Sequence, residues 1–295
     1  RLVHGGVRCL EHGHLHLVFE SSRERRILLR IAPHLVRPLA FTWPVYQSGR
    51  VPRWKLWAGL TLYDMLALFR NVANHRKLSA DEVSKAEPGL EREGLLGGAR
   101  YYDASTDDTR LTLANVLDAA ESMAVVVNHA ELEHLENWGR SRMGGVAVVR
   151  DRLTGAAIRV RAKLLVSATG PWSDALRERL LGAAGNGVRG SVGAHIAVPR
   201  ERLGNRGAVT LLSPIDGRVM FVLPAGRNAI VGTTETPSQS SPDAISASAS
   251  DVRYLLATAN AFFPEAQLGE RDVIAAWAGV RPLASALASG DAGGA

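Results

Sequence analysis

The sequence predicts an α+β fold, in which a parallel α/β part is split along the chain and combined with an antiparallel sheet. The first observation is the segment 160–172, where the apolar run 164–166 leads into Ser-Ala-Thr-Gly-Pro-Trp. A short apolar run that ends on glycine is typical of a buried parallel strand that brings its main chain to a ligand. The second is the region 191–235, where short apolar runs alternate with proline and glycine, as in an antiparallel sheet.

Helices are predicted where apolar residues recur at helical spacing. Residues 17–32 have this spacing and end before Pro33, which stops a helix. Residues 54–69 carry an apolar face, but Lys55 and Asp64 interrupt it, so the segment is too short to span a membrane. This helix is predicted either to pack in the interior or to lie on a membrane surface. Further helices are predicted over residues 109–123, 174–181 and 251–262.

Strands are predicted for short apolar runs between turn residues. Residues 132–149 and 158–165 fit hairpins that lead into a turn at 168–170. Pro171 suits the first turn of the next helix, where Asp174 places a negative charge at the helix N-terminus. Other strands are predicted over residues 124–127, 196–198, 209–212, 219–223 and 229–231.

Composition limits the class of protein. The 295 residues include 46% hydrophobic and 22% charged residues, which is ordinary for a soluble globular protein of one large or two smaller domains. The single cysteine excludes an intrachain disulfide and is compatible with a reducing cytoplasm. The net charge of +6 does not indicate nucleic-acid binding, because the basic residues are scattered. The densest basic cluster is predicted to be a solvated helix face and comprises Arg23, Arg25, Arg26 and Arg30.

Two polar groups are interpreted as structural. His12, His14 and His16 alternate as a metal site on a strand would, but the segment reads as the start of a helix. In a helix this spacing points side chains about 200° apart, so no metal site is predicted. Asp107 and Asp108 are adjacent carboxylates before a helix, and we predict that they cap and pair at its start.

Segments spread along the chain carry a specific resemblance. Residues 1–11 open with Arg-Leu-Val-His-Gly-Gly, and residues 277–283 read Trp-Ala-Gly-Val-Arg-Pro-Leu. Together with residues 168–172, in this order and at these separations, they resemble the FAD-dependent glycerol-3-phosphate dehydrogenases of the D-amino-acid-oxidase-like flavoprotein superfamily. Further matches extend the resemblance over nearly the whole chain and comprise residues 29–35, 62–64, 102–111, 193–196 and 231–235.

The resemblance implies a split FAD-binding Rossmann-like domain, here incomplete, and an antiparallel-sheet substrate domain. The expected FAD-binding parts are residues 1–37 and 101–182, the substrate or cap domain is 38–100 and 183–272, and 273–295 return to the FAD domain. The family's Gly-x-Gly-x-x-Gly turn holds the FAD pyrophosphate on a helix N-terminus. Residues 185–190 match this pattern but stand between a predicted helix and a predicted strand, so we interpret them as a loop. We therefore expect an internal fragment that lacks both ends of the FAD domain and is inactive alone.

The implied reaction is oxidation of sn-glycerol 3-phosphate to glycerone phosphate by hydride transfer to FAD, with electrons passed to quinone. By resemblance, His195 faces the substrate, and the ordinary histidine pKa of about 6.5 suits a general base. Arg281 precedes a proline in an extended segment, and its guanidinium suits a phosphate. Arg8 is expected to be a second phosphate contact, and His4 to lie close to the reacting carbon. Cys9 stands where many family members carry tyrosine, which weakens the inference of an unchanged substrate.

The resemblance also implies the cofactor contacts and the partners. The residues expected to line FAD are Arg1, Leu2, His4, Gly5, Gly6, Glu131, Ala168, Thr169, Gly170 and Trp172. The expected protein is cytoplasmic, with peripheral contact to the inner face of the cytoplasmic membrane. Two alternatives stay open. One is a related FAD-dependent oxidoreductase for an amino acid or 2-hydroxy acid, and the other is a flavin-free binding or scaffold domain.

Overall fold

The computed structural model describes residues 1–7, 10, 13–138, 144–182, 187–238 and 240–285. The chain forms two compact units. Unit 1 comprises Arg1–Ala114, Ala194–Thr234 and Ser246–Ala278. Unit 2 comprises Asn115–Gly193, Glu235–Ile245 and Gly279–Ala295.

Five helices fall where the sequence predicts them, and two short ones, at residues 80–86 and 200–203, were not predicted. In chain order they are α1 (Leu15–Ile31), α2 (Arg53–Leu66), α3 (Ala80–Ala86), α4 (Asp108–Glu121), α5 (Ser173–Leu181), α6 (Arg200–Leu203) and α7 (Ala249–Phe262). The helix α1 ends just before Pro33, as predicted. The predicted cap at α4 is also confirmed, because Asp107 accepts the main-chain N–H of Arg110 at 3.1 Å. No helix in the described part of the chain is long and apolar enough to cross a membrane.

The strands include predicted short apolar runs and others that the sequence did not predict. In chain order they are β1 (Leu2–Val3), β2 (Val36–Tyr46), β3 (Arg76–Leu78), β4 (Leu95–Thr106), β5 (Ala130–Glu136), β6 (Gly145–Asp151), β7 (Ala157–Ala162), β8 (Val188–Pro199), β9 (Ala208–Leu212), β10 (Val219–Ala225), β11 (Asn228–Gly232), β12 (Thr236–Ser238) and β13 (Ala275–Ala284). The strands predicted at 196–198, 209–212, 219–223 and 229–231 are confirmed.

Unit 1 is built on a mixed sheet. Its strands lie in the order β1-β4-β2-β9-β10-β11-β8, and β3 pairs with β4. The pairing is antiparallel except between β2 and β9, which run parallel. The strand β2 buries Phe41, which stacks on Tyr101 of β4 at 5.1 Å between ring centroids. Truncating a buried phenylalanine to alanine typically costs about 3–5 kcal/mol, so this pair anchors the sheet.

The helix α2 covers part of that sheet. It buries Leu56, Leu60 and Tyr63, so the prediction that this helix packs in the interior is confirmed for that face. Trp54 and Met65 of the same helix remain 69% and 52% exposed.

Unit 2 contains a small antiparallel sheet with the order β5-β6-β7. This arrangement confirms the predicted hairpins between residues 132 and 165. In the same unit, β12 pairs antiparallel with the first part of β8 through Thr236 and Val192.

The prediction of a buried parallel strand at 164–166 is wrong. The strand β7 ends at Ala162 and is antiparallel to β6, while Leu164 and Val166 are 76% and 75% exposed. The predicted strand at 124–127 is wrong as well, since Val125 is 91% exposed and no strand of the described residues pairs with it. An apolar run becomes a buried parallel strand only where neighbours pair with it and cover its faces. Among the described residues, no strand pairs with residues 124–127 or 164–166, and their apolar side chains are not covered.

The predicted solvated face of α1 is wrong for Arg25. Its residue surface is only 2% exposed, although Arg23 and Arg30 face solvent as predicted. Arg25 forms an ion pair with Asp103 of β4, 78 residues away in sequence. An arginine is buried only when it is paired, and this distant partner allows it.

Candidate functional site

His195 lies on β8 between two neighbouring strands. Its Cα pairs with that of Gly232 on β11. The strand β13 also pairs with β8, and the Ile274 N–H, just before β13, donates to the carbonyl of Ala197 at 2.8 Å. Because β11 occupies one edge of β8, β13 lies at the other edge. From β13, Trp277 stacks on the imidazole of His195, with ring centroids 5.7 Å apart and planes inclined by 9°. The imidazole is thus bounded by both neighbours.

Gly232 leaves the space that the imidazole fills. A Cβ at this position would stand 2.8 Å from His195 Cγ and 2.9 Å from Nε2, closer than side chains tolerate. The main chain beside the histidine is also fixed, because the Ala194 N–H donates to Thr234 Oγ1 at 2.9 Å. The half-buried imidazole is therefore held at one place on the sheet. A histidine held in this way is suited to accept a proton from a bound hydroxyl.

The N-terminal segment starts on the same sheet. In β1, Leu2 pairs with Ser105 of β4. Arg1 forms an ion pair with Asp108 at 2.9 Å, and both side chains are more than half exposed. Such an exposed pair adds about 0–1 kcal/mol, so it leaves the position of β1 to the strand pairing.

After β1 the chain turns through the two glycines. His4 is exposed, whereas Gly5 and Gly6 are buried. The Gly5 N–H donates to Asp103 Oδ1 at 2.9 Å. Gly6 has φ +78°, a conformation that favours glycine over other residues. The sequence His-Gly-Gly therefore makes a turn that a side chain at either glycine would disturb.

In unit 2 the predicted cofactor segment presents an open main chain. Ala168 and Thr169 are exposed, and Gly170 has φ +54°. Beyond its two chain neighbours, no heavy atom lies within 4 Å of the position that a Cβ of Gly170 would take. Trp172 is 46% exposed, and its Nε1–H donates to Asp243 at 3.2 Å. This open backbone fits the approach of a flat group such as part of a dinucleotide.

The remaining predicted residues are placed as follows. Glu131 lies on β5, where its carboxylate pairs with Arg179 at 2.7 Å and Arg152 at 3.4 Å. Arg281 lies on β13 in unit 2. Arg8 and Cys9 lie outside the described residues, as do residues 185 and 186 of the 185–190 motif. The interpretation of this motif as a loop is wrong for residues 188–190, which form the start of β8. Among the described residues, no group of three or more His, Cys, Asp or Glu side chains is arranged to hold a metal ion.

Two residues of the site were not predicted, namely Gly232 and Trp277. Both lie in segments that carry the resemblance, at 231–235 and 277–283. A signal for the first exists in the sequence, since a glycine inside a strand often marks the close approach of another group. The aromatic stacking by Trp277 depends on the pairing of β13 with β8, which the sequence does not give.

Comparison with known proteins places the chain in a family. Residues 1–292 match the family described as FAD dependent oxidoreductase, and the chain belongs to that family. It is 35% identical over 299 residues to the alpha-glycerophosphate oxidase of Streptococcus pyogenes serotype M6, covering 100% of this chain and 49% of that protein. It is 32% identical over 283 residues to the aerobic glycerol-3-phosphate dehydrogenase of Staphylococcus saprophyticus, covering 96% and 51%. The predicted resemblance is therefore confirmed.

A solved structure supports the same assignment. The glycerol-3-phosphate dehydrogenase from Bacillus halodurans complexed with FAD matches with a TM-score of 0.75 and 29% identity, over 97% of this chain and 49% of that one. The predicted fold class is confirmed, because the match extends over a mixed α/β fold with a Rossmann-like FAD-binding part and an antiparallel sheet. The chain spans about half the length of the curated relatives it matches.

Proposed function

We propose that the protein to which this chain belongs binds FAD and oxidises sn-glycerol 3-phosphate to glycerone phosphate. Membership of the FAD dependent oxidoreductase family supports the cofactor, and the names of the similar proteins support the substrate. The observation that carries the proposal is the imidazole of His195, held between β11 and Trp277. Oxidation of a secondary alcohol requires a positioned group that takes the hydroxyl proton.

Two segments would hold the cofactor. Residues 168–172 in unit 2 offer the open main chain around Gly170, and residues 1–6 offer the turn at the two glycines beside His4. Glu131 would lie on the adenine side. Bound FAD supplies the hydride acceptor, which protein side chains do not provide. In this proposal residues 1–37, 101–182 and 273–295 form the FAD-binding part, and residues 38–100 and 183–272 form the substrate domain.

The chain's own residues would bind and deprotonate the substrate. His195 would accept the hydroxyl proton. The hydrogen of the carbinol C–H bond would leave with its two electrons as hydride, for which bound FAD is the acceptor, and a C=O bond would form. Arg281 binds the phosphate through two charge-assisted hydrogen bonds, and Arg8 adds a second cation. His4 lies beside the reacting carbon. The four roles are separable by substitution.

The substrate assignment is tested by anaerobic titration of the full-length protein. We expect glycerol 3-phosphate to bleach the yellow flavin absorbance, and glycerol, which lacks the phosphate, to bleach it far less. Bleaching by lactate or an amino acid but not by glycerol 3-phosphate would replace the assignment with a carboxylate-oxidising enzyme. A protein that purifies colourless and takes up no added FAD would overturn the flavoenzyme proposal in favour of a binding or scaffold domain.

A finer part of the proposal concerns the electron acceptor and the location. We propose that electrons pass to quinone and that the protein is cytoplasmic, with peripheral contact to the inner face of the cytoplasmic membrane. Exposed apolar side chains support this contact, with Trp54, Met65 and Phe69 at 69%, 52% and 59% exposure. Arg53 and Arg70 flank them in sequence. Apolar side chains beside cations suit a surface of anionic lipid.

Vesicle sedimentation and flavin reoxidation test this part. We expect the full-length protein to sediment with vesicles that contain anionic lipid, and Trp54→Ser to weaken this binding. Leu153→Ser is the matched control, because Leu153 is 75% exposed on a hairpin of unit 2. Reoxidation by oxygen as fast as by a soluble quinone, without vesicle binding, would contradict the finer proposal and indicate an oxidase.

A further inference from the structure

Three buried polar side chains meet against the segment of residues 4–6. Arg25 comes from α1, Tyr63 from α2 and Asp103 from β4, and together they are called the buried cluster here. Asp103 Oδ1 accepts the Gly5 N–H at 2.9 Å and the Tyr63 hydroxyl at 2.6 Å. Arg25 forms an ion pair with the same oxygen, and the side chains of Arg25 and Asp103 are 3% and 4% exposed. One carboxylate oxygen thus joins two helices, a strand and the glycine turn.

The cluster lies directly against the main chain of Gly5. A Cβ at Gly5 would stand 2.6 Å from Ser22 Oγ and 2.8 Å from Arg25 Nη1. Glycine is therefore needed because Ser22 and the cluster side chains fill the space at this position. Among the described residues, the Gly5 N–H makes the hydrogen bond that joins the cluster to the turn.

A second layer holds Arg25 from its other side. Its Nη2 donates to Asn71 Oδ1, and Asn71 Nδ2 donates to Asp64 Oδ1 at 2.7 Å. Asp64 Oδ2 in turn accepts the main-chain N–H of His75 at 2.9 Å. The guanidinium is thereby fixed between Asp103 and the segment that connects α2 to β3. This second layer limits the movement of Asp103.

The protonation states of the cluster favour fixed hydrogen bonds. Burial, together with Asp103, raises the pKa of Tyr63 well above its ordinary value, so the hydroxyl stays protonated and donates. Burial lowers the pKa of Arg25, but Tyr63 and Asp103 raise it more, so the guanidinium stays charged. Buried ion pairs add little net stability compared with apolar side chains of similar volume, which makes a geometric role the better account of this one.

We propose that Asp103, held by Arg25 and Tyr63, is a positioning residue that sets the path of the main chain at residues 4–6. This inference rests on the proposed function, in which the same segment runs beside the flavin and carries His4. The cluster would act on the cofactor through the main chain of Gly5. Removing a cluster contact should loosen this turn before it affects the rest of the sheet.

Amide hydrogen exchange of the full-length protein, measured first without substrate, tests the proposal. Tyr63→Phe removes one hydrogen bond to Asp103 and keeps the ring, and Asp103→Asn removes the charge and keeps the shape. The matched control is Tyr101→Phe, because Tyr101 is a buried tyrosine of β4 whose hydroxyl contacts Thr210 at 3.0 Å instead of Asp103. We expect exchange of residues 3–7 to become about tenfold faster in the first two variants.

A second readout connects the cluster to the bound flavin. In the FAD-loaded protein we expect Tyr63→Phe to change the visible circular dichroism of the flavin and to lower kcat about tenfold, with KM changed less than about twofold. Tyr101→Phe should leave the exchange of residues 3–7 and the flavin spectrum as in the wild type. If Asp103→Asn fails to fold, Tyr63→Phe still carries the test.

The outcomes separate this proposal from the proposed function. The positioning role would be overturned if the amides of residues 3–7 exchanged at the wild-type rate in Tyr63→Phe while this variant lost as much stability as Tyr101→Phe. Faster exchange and an altered flavin spectrum in a protein that glycerol 3-phosphate does not reduce would support the positioning role and reject the substrate.

Discussion

Replacing Gly232 by alanine places a methyl group against the imidazole of His195. The added Cβ would stand 2.8 Å from Cγ and closer still to Cδ2, whereas ordinary contact begins at 3.4 Å, so the ring must retreat by more than the roughly 0.6 Å that Cγ alone requires. Trp277 stacks on the imidazole from β13, the strand at the other edge of β8, and limits this retreat. The substitution therefore tests whether the position of the imidazole matters, without removing the imidazole itself.

The expected magnitude follows from the displacement. A misplacement of about 1 Å at a reacting centre lowers a rate about 10²-fold, and a general base contributes about 10²–10⁴-fold in total. We therefore expect Gly232→Ala to slow flavin reduction by glycerol 3-phosphate about 10²-fold. Overpacking typically lowers the free energy of unfolding by about 1–3 kcal/mol, which is less than the roughly 5–15 kcal/mol by which native proteins are stable. The variant should stay folded at the assay temperature.

The assay is anaerobic rapid mixing of the full-length protein with saturating glycerol 3-phosphate. Gly59→Ala is the matched control, because Gly59 lies in α2 and, apart from its neighbours and the backbone of this helix, no heavy atom lies within 4 Å of the added Cβ. We expect this control to keep the wild-type rate and to gain about 0.5–1 kcal/mol of stability from its helical position. A folded Gly232→Ala variant that reduces its flavin at the wild-type rate would refute the role given to the imidazole.

Three further predictions concern the stacking, the phosphate and a buried carboxylate. Trp277→Leu removes a stacked ring worth about 0.5–1.5 kcal/mol, so flavin reduction should slow roughly three- to tenfold; an unchanged rate would contradict the stacking argument. Arg281→Lys keeps the positive charge but loses the bidentate hydrogen bonding of the guanidinium, so KM for glycerol 3-phosphate should rise at least about tenfold. An unchanged KM would exclude Arg281 from phosphate binding. Burial raises the pKa of Glu87 above its ordinary 4.5, although the N–H groups of Arg206 and Gly207 donate to it at 2.7 and 3.0 Å. The contribution of Glu87 to the free energy of unfolding is therefore complete below pH 4.5 and is lost as the pH rises through the pKa of Glu87 in the folded protein. The urea midpoint of the wild type should fall above pH 4.5, and in Glu87→Gln this fall should be smaller. An equal fall of the urea midpoint in Glu87→Gln and in the wild type would contradict this pH dependence of the Glu87 contribution.

Local patterns in the sequence predicted several elements of unit 1, but not its long strands β2 and β4. The end of α1 at Pro33 and the four strands between residues 196 and 231 depend on proline, glycine and apolar spacing, which are local properties. The run 164–166 has the same local pattern as a buried strand, but burial depends on neighbours that pair with it, and the described residues give it none. A local pattern can therefore predict extended backbone without predicting what covers it.

The site shows the same division between local and distant information. His195 was predicted from a resemblance, and the structure adds the reason for its fixed position, which lies in Gly232 and Trp277 on separate strands. Arg25 was predicted to be solvated because helix position alone cannot show a partner 78 residues away. Contacts between elements of high sequence separation are thus the part that the sequence could not supply.

The most direct test of the central claim is the pH dependence of flavin reduction by glycerol 3-phosphate in single-turnover experiments, with wild type and His195→Gln compared. The account predicts a wild-type rate that rises with pH to a plateau as a base loses its proton. In His195→Gln we expect this rise to be absent and the plateau rate to be about 10²–10⁴-fold lower. A His195→Gln variant that keeps both the pH dependence and the rate of the wild type would contradict the claim that His195 takes the substrate proton.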